Sequence, residues 1–204
     1  MTRPPGRPQG RAGHEGRRTA ILRAALEVFA ERGYQGATIA IVAERVGLSQ
    51  QGVLHYFPNK QDLLANVLAL RDQNDLDVLL ATAQGSATTL DFLADLVERN
   101  AERPGIVQSF TVLAAESVTQ DHPARDYFID RYAQTRRMLT TMLERELGGD
   151  PPRGVSHQDA ATLLIAVLDG LQQQWLLSPD EVDMPALLRT FLRLIHPEAD
   201  ANPQ

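Results

Sequence analysis

The 204-residue sequence contains no cysteine, and only 5% of its residues are aromatic. The absence of cysteine excludes a disulfide framework and thiolate chemistry, so a metal could be bound only through histidine and carboxylate. No apolar run approaches the length of a membrane span, and the basic N-terminal residues are not followed by the apolar stretch of a signal peptide. We therefore expect a soluble, cytoplasmic protein with an ordinary hydrophobic core.

Charge is distributed unevenly along the chain, although the whole carries a net charge of −6. Residues 1–60 contain nine arginines and lysines against four glutamates, a net of +5, so the remainder carries −11. A basic N-terminal part joined to an acidic body can attract a polyanion at one end only. A basic tail that is merely hydrated has the same composition, so charge alone leaves both interpretations open.

Helical periodicity runs through the sequence, and no alternating strand pattern interrupts it, which predicts an all-α protein. Residues 1–16 are rich in proline, glycine and arginine and are predicted to be a disordered basic tail. Residues 17–58 are predicted to form a domain of three helices. The first of these is predicted to end at Gly33 and to bury apolar residues at helical spacing, namely Ile21, Leu22, Ala25, Val28 and Phe29. Residues 59–204 are predicted to form a larger helical domain. Its helices are predicted near residues 60–84, 89–102, 105–119, 123–147, 157–177 and 184–195.

Residues 38–58 have the pattern of a helix-turn-helix. Thr38 is a favourable N-cap for one short helix, which Gly47 ends, and Ser49 is a favourable N-cap for the next. Val53 and Phe57 are four residues apart and are predicted to face inward. An αα-corner with a polar outer face is the alternative interpretation.

The outward face of the second helix in this motif is suited to contact the bases of DNA. Gly52 lacks a side chain and lets the backbone approach the major groove, and the amides of Gln50 and Gln51 can pair with adenine. Lys60, in the first turn of the following helix, opposes the helix dipole at a cost of about 0.3–1 kcal/mol. Stability therefore offers no reason for this lysine, whereas a bound phosphate would offer one.

The same residues resemble the signature of the TetR family of transcriptional regulators. The resemblance rests on the segments Phe29 to Gly33, Thr38 to Ala43, Val46 to Ser49, His55 to Phe57, and Lys60 to Leu63. It implies an N-terminal helix-turn-helix DNA-binding domain and a C-terminal helical domain that binds an effector and forms a homodimer.

The family's contacts can be carried over to the matching positions. The resemblance implies phosphate anchoring by Thr38, Tyr56 and Lys60, and contacts to bases or backbone from the recognition helix. Many members have a tyrosine at the position of Leu54 and a threonine at that of Gly52, so an apolar Leu54 could here contact a thymine methyl instead. The predicted DNA-binding residues of the domain are Thr38, Ser49, Gln50, Gln51, Gly52, Leu54, His55, Tyr56 and Lys60.

The N-terminal tail adds Arg3, Arg7 and Arg11 to this set. Its Gly-Arg-Pro core is like that of an AT-hook, which places arginine in a narrow minor groove. A tail that supplies only nonspecific, salt-sensitive attraction is the alternative.

The C-terminal residues contain no recognisable catalytic constellation, so no catalytic residue, metal ligand or cofactor is predicted. His122 and Asp126 have a helical spacing that could begin a metal site, but two ligands do not complete one. Segment 160–177 is apolar on nearly every side, and the last helix has a similarly broad apolar surface, which favours a dimeric four-helix bundle. The predicted dimer residues are Leu164, Leu168, Leu171, Leu188, Phe191, Leu192 and Ile195.

A small-molecule pocket is implied by the resemblance, from bulky and polar residues of the middle helices. The predicted ligand-binding residues are Phe110, Glu116, Tyr127, Phe128, Met138, Met142, Gln172 and Trp175. The function predicted is a repressor that a small effector releases from double-stranded operator DNA. The alternatives are an activator or ligand-independent DNA-binding protein of the same fold, or a helical binding protein or enzyme that no longer reads DNA.

Overall fold

The computed structural model describes residues 9–83, 88–147 and 154–195. Within those ranges the chain is helical and contains no strand, which confirms the all-α prediction. The helices are α1 Gln9–Gly36, α2 Ile39–Arg45, α3 Gln50–Leu54, α4 Lys60–Ala83, α5 Thr89–Ala101, α6 Pro104–Glu116, α7 Arg125–Leu147, α8 His157–Leu177 and α9 Met184–Ile195. Of the helices described, none is both long enough and apolar enough to cross a bilayer.

The chain divides into two compact units, and the boundary between them lies between Asp72 and Gln73, within α4. The sequence places the domain boundary earlier, after Pro58. The first part of α4 belongs with the N-terminal unit because it contributes buried side chains at Leu63, Leu64 and Val67.

The first helix begins at Gln9, whereas the sequence predicts order only from Arg17. Residues 1–8 of the predicted tail lie outside the described residues. The helix is interrupted at Gly33, where φ is 65° and ψ is 178°, and this is the residue at which the sequence predicts its end. Backbone with a positive φ is accessible to glycine with little strain, so the chain can turn there toward α2.

Side-chain caps begin α2, α3 and α4. Thr38 Oγ1 accepts from the Ile41 amide at 3.2 Å, and Ser49 Oγ accepts from the Gly52 amide at 3.1 Å. The Asn59 side chain accepts from the Asp62 amide at 2.8 Å. Each cap satisfies one of the N–H groups that a helix start leaves without an intrahelical partner.

Gly47 forms the turn between α2 and α3. Its φ is 65°, and the following amide, of Leu48, donates to the Ala43 carbonyl at 2.9 Å. The Gly47 amide itself donates to the Glu44 carbonyl at 3.1 Å, which completes a Schellman motif. The tight glycine turn predicted for the helix-turn-helix is therefore present.

The N-terminal unit has a core to which each of its helices contributes. The α1 face predicted from helical spacing is fully buried, as are Val42 of α2, Val53 of α3 and Phe57 in the following turn. The buried α1 residues are Ile21, Leu22, Ala25, Val28 and Phe29.

The C-terminal unit is built around a second core, to which α5, α7, α8 and α9 contribute. Helix α8 contacts α6, α7 and α9, and α5 packs against α9. The buried members of this core are Phe92, Leu93, Val97, Leu139, Leu143, Ala161, Leu164, Ile165, Met184, Leu188 and Leu192. The bounds of α8 and α9 are those predicted from the sequence.

Replacing Gly47 by alanine should destabilise the protein by about 1–2 kcal/mol, because a left-handed conformation brings a Cβ close to the following carbonyl. A Cβ at this position meets nothing else within 4 Å, so the cost comes from the backbone alone. Urea denaturation measures it. Gly105→Ala is the control, since a Cβ there also meets nothing within 4 Å but the residue lies in the first turn of α6. Equal effects at the two positions would contradict the backbone explanation.

Candidate functional site

Helix α3 presents a polar face to solvent. Gln50, Gln51 and His55 are exposed, whereas Val53 and Phe57 are 0% and 1% exposed. The inward orientation predicted for the two apolar residues is therefore confirmed. The amides of Gln50 and Gln51 therefore lie outside the core and are accessible from solvent.

The fold itself also favours glycine at position 52, in addition to the close approach to DNA predicted from the sequence. A Cβ built there would lie 3.3 Å from Ser49 Oγ, the oxygen that caps α3, and 3.6 Å from the Leu48 Cβ. The contact with Ser49 Oγ is short enough that this oxygen would have to move by a few tenths of an ångström, whereas the contact with Leu48 is an ordinary van der Waals distance. Glycine therefore protects the N-cap of the recognition helix. Sequence reasoning considered only a close approach to DNA.

Lys60 corrects an argument made from the sequence. Its Nζ donates to the Tyr34 carbonyl at 2.8 Å and to the Ala37 carbonyl at 3.0 Å, and it lies 4.2 Å from the centre of the Tyr34 ring. These carbonyls follow the break in α1, where helical partners run out. These contacts stabilise the fold and thus give a reason for a lysine at this position. They use two of the three ammonium protons, which leaves one able to bind a phosphate.

Tyr56 lies between two imidazoles. Its ring centroid is 4.6 Å from that of His14 and 5.7 Å from that of His55, the second pair being nearly perpendicular. Thr38, which the resemblance pairs with Tyr56 as a phosphate anchor, is exposed, and its hydroxyl caps α2. Leu54 is half-buried at the end of α3.

Arg45 ties α2 to α1 through a two-pronged ion pair. Its guanidinium donates to both Glu31 carboxylate oxygens, at 2.8 and 2.7 Å, and lies 3.5 Å from Glu27. The hydrogen bond from Arg45 lowers the pKa of Glu31. Because the folded-state pKa is lowered, the pair stabilises the fold above the unfolded-state value, and that contribution is lost as the pH falls through the folded one. The pair is exposed, so its effect is modest.

The predicted tail contacts can be placed only in part. Arg3 and Arg7 lie outside the described residues. Arg11 lies in the backbone of α1, but its side chain is not among those described.

Three of the predicted ligand-binding residues form one aromatic group in the C-terminal unit. The Phe110 and Phe128 ring centroids are 5.0 Å apart, and Tyr127 meets Phe128 edge-on at 5.1 Å. The Arg131 guanidinium lies 5.3 Å from the centre of the Phe110 ring. This aromatic group joins α6 to α7.

Glu116 lies at the end of α6, close to His122. The His122 Nε2 is 3.8 Å from a Glu116 carboxylate oxygen, and its Nδ1 is 2.9 Å from Ser117 Oγ and accepts from the Ala124 amide at 3.2 Å. Burial lowers the pKa of His122, and the Glu116 carboxylate opposes that shift. Among the described residues, no group of three or more histidines and carboxylates is arranged to hold a metal.

The other predicted ligand-binding residues are dispersed. Met142 and Trp175 pack against the core of the C-terminal unit, and Gln172 is half-buried on α8. Met138 is 38% exposed, so it does not face an interior site. The structure therefore brings together Phe110, Tyr127 and Phe128, but not the whole predicted set.

A carboxylate that sequence reasoning missed lies between α7 and α8. The Tyr132 hydroxyl donates to Asp169 Oδ2 at 2.7 Å. Burial raises the pKa of Asp169, and the bond from Tyr132 partly opposes the shift. Asp169 is the one acidic residue in the apolar segment 160–177, and that isolation is the signal that could have identified it.

A cavity of about 400 Å³ also opens between α7 and the start of α8. Six of its seven lining residues have polar side chains, and among the described residues the lining includes none of the eight predicted ligand-binding residues. The lining residues are Ala133, Arg136, Arg137, Thr140, Thr141, Glu144 and Gln158.

The predicted dimer residues divide into two groups. Leu164, Leu188 and Leu192 are at most 5% exposed within a single subunit, because they complete its own core. Leu168, Leu171 and Phe191 are partly buried against the same core, and the side chain of Ile195 is not described. Among the described residues, the large hydrophobic side chains left exposed on α8 and α9 are instead those of Leu163, Leu177, Leu187 and Leu194.

Two family models match the chain. Residues 21–67 match the model described as bacterial regulatory proteins, tetR family. Residues 86–197 match the model described as the C-terminal part of BetI-type transcriptional repressors. The two matches fall on the helix-turn-helix region and on the larger helical region.

The proteins to which this chain is similar are named as transcriptional regulators. The chain is 31% identical over 188 residues to the HTH-type transcriptional regulator BetI of Escherichia coli, covering 86% of this chain and 92% of that protein. It is 27% identical over 184 residues to the regulator TtgR of Pseudomonas putida, covering 82% and 83%. A transcriptional regulator from Saccharomonospora viridis, solved in complex with choline, has a TM-score of 0.74 at 24% identity, covering 88% of this chain and 96% of that one.

Replacing Lys60 by alanine should lower the free energy of unfolding by about 1–3 kcal/mol, because the Tyr34 and Ala37 carbonyls lose a charged donor. If the remaining proton binds a phosphate, the dependence of DNA affinity on salt should also become shallower by about one per subunit. Urea denaturation and fluorescence anisotropy measure the two effects separately. Gln51→Ala is the control, because this exposed amide should affect base discrimination, by about 1–3 kcal/mol, without affecting stability. Unchanged stability in the lysine variant would contradict the role in holding α1.

Proposed function

The chain belongs to the TetR family of bacterial transcriptional regulators, and on that premise we propose that it is a homodimeric repressor released from its operator by a small-molecule effector. The proposal rests on the presence of two regions in the same chain. One is a helix-turn-helix with outward amides, and the other is a helical region that matches the C-terminal part of BetI-type repressors. A repressor acting on chromosomal DNA works in the cytoplasm.

The operator expected for such a dimer has two-fold symmetry. Gln50, Gln51 and His55 of each subunit would contact one half-site, with the half-sites about one helical repeat, roughly 34–36 Å, apart. Thr38, Tyr56 and the remaining proton of Lys60 would anchor the flanking phosphates. These roles follow from the positions of the side chains on and beside α3 and from the family resemblance.

The dimer interface is proposed on the face of α8 and α9 that the subunit's own core leaves uncovered. On α8 this face contains Leu163, Ala166, Gly170 and Leu177, whose spacing of three, four and seven residues follows one side of a helix. Leu187 and Leu194 of α9 are likewise seven residues apart and exposed. A second copy covering these leucines would remove an apolar surface from water.

Gly170 supports this assignment. A glycine inside a helix costs about 1 kcal/mol relative to alanine. A Cβ at Gly170 would meet nothing within 4 Å, so nothing described inside the subunit requires its absence. Close approach of a partner helix supplies a reason, because small residues let two helix backbones come together.

The effector is proposed to bind within the C-terminal unit, against the aromatic group of Phe110, Tyr127 and Phe128 and near the Tyr132–Asp169 pair. Aromatic surface with a few fixed polar groups is typical of small-molecule sites. The complex of the Saccharomonospora viridis protein with choline indicates that this fold can hold a small ligand. Release requires the effector to bind the DNA-free state more tightly than the DNA-bound state.

The repressor mechanism is tested with a duplex that the protein selects from a random-sequence DNA pool, and with a compound that lowers its affinity for that duplex. Because coupling between sites is reciprocal, saturating duplex should weaken binding of the compound by the same factor, about 5–150-fold. Calorimetry with and without duplex measures this factor. Equal affinities in the two titrations, with no compound able to displace the duplex, would instead favour a ligand-independent regulator.

Gly170→Glu should convert the dimer to monomer, because it places a charged side chain at the centre of the proposed interface while open space accommodates it within the subunit. Sedimentation measures the oligomeric state, and circular dichroism checks that the helices persist. Gly105→Glu introduces the same side chain at an equally open glycine on α6 and should remain dimeric. A dimeric Gly170→Glu protein would refute the proposed face.

A further inference from the structure

The side of α1 that faces the core continues toward the N-terminus as a partly buried Arg18 and an exposed His14. Ile21 and Leu22 are buried in the core, and Arg18 and His14 lie on the same side of the helix, one and two turns earlier respectively. This part of α1 contains no apolar side chain that could anchor it by burial alone. Its described contacts are made instead by an imidazole and a guanidinium.

Both side chains contact the segment between α3 and α4. The Arg18 guanidinium lies 5.1 Å from the centre of the Phe57 ring and hydrogen-bonds Asn66 of α4. The His14 ring packs on Tyr56, with centroids 4.6 Å apart and an angle of 33° between the ring planes. The first turns of α1 are therefore attached to the residue that the family resemblance assigns to phosphate anchoring.

The ring of Tyr56 is contacted by aromatic side chains on two sides. His55 meets its ring edge-on, and His14 covers it at a tilted angle. Because His55 restricts the rotamers of Tyr56, the ring offers His14 a surface of fixed orientation on which the first turns of α1 can pack.

We propose that His14 is a positioning residue for DNA binding, which holds the first turns of α1 beside Tyr56 so that their basic side chains reach the phosphates flanking each half-site. Arg17, about one turn after His14, is exposed. A helix end without such an attachment frays, and ordering it on DNA would cost entropy. The proposal rests on the DNA-binding function and assigns the N-terminal extension to the flanks of the operator.

A purely stabilising contact would have a different consequence. If His14 only strengthened the fold, its loss would weaken binding to every duplex by the same factor. If His14 positions the α1 extension, its loss should matter only when flanking DNA is present. The two roles are therefore separated by duplex length.

The test uses the full chain and two duplexes: the selected operator trimmed to its two half-sites, and the same operator extended by one helical turn at each end. For the unaltered chain, the extended duplex should bind several-fold more tightly, with a salt dependence steeper by about 0.9 for each flanking phosphate neutralised. His14→Ala should abolish both gains and leave affinity for the trimmed duplex unchanged. His14→Phe should restore them, because it retains an aromatic ring against Tyr56.

Gly16→Ala is the matched control, since a Cβ there meets nothing within 4 Å and the variant changes helix propensity without touching Tyr56. It should retain the gain from flanking DNA. Equal weakening of both duplexes by His14→Ala, or no gain for the unaltered chain, would overturn the proposal. Failure of the unaltered chain to bind even the trimmed duplex specifically would instead count against the repressor function itself.

Discussion

The hydrogen bonds from Lys60 to the Tyr34 and Ala37 carbonyls are the constraint on which the arrangement of the N-terminal unit depends. Gly33 breaks α1, so carbonyls beyond the break lose their helical donors. A single ammonium at the start of α4 satisfies two of them. The start of α4 is thereby fixed against the turn between α1 and α2, and α3, which lies between α2 and α4 in the chain, is held at both ends. A recognition helix of only five residues is positioned in this way without needing stability of its own.

Local features of the fold could be predicted from the sequence because their causes lie within a few residues. Ser49 caps α3 through an amide three positions away, and Gly47 ends α2 by its own backbone conformation. The partners of Lys60, in contrast, are 26 and 23 residues away, and nothing in the local pattern identifies them. The sequence predicts too late a start for α1 because His14 lies outside the apolar repeat, although its ring packs on Tyr56.

The candidate site likewise has features that could be predicted from local sequence and features that depend on distant residues. The outward face of α3 follows from the spacing of Val53 and Phe57, so its exposed amides could be predicted. A helix that is apolar on two sides does not reveal which side faces its own subunit, and Leu164 and Leu188 proved to belong to the core. The proposed effector region depends on which residues of α6, α7 and α8 meet, as Tyr132 and Asp169 do across 37 positions, and single-helix periodicity contains no such information.

The burial of Leu164, Leu188 and Leu192 within one subunit has a consequence for how such a regulator responds to its own abundance. In the proposed dimer, each C-terminal unit would have its own core before a second copy is added, so association would join two folded subunits rather than fold them together. Assembly of that kind is reversible and obeys mass action. At low concentrations, operator occupancy would then rise with the square of the number of chains in the cell, so that a small change in synthesis produces a disproportionate change in repression.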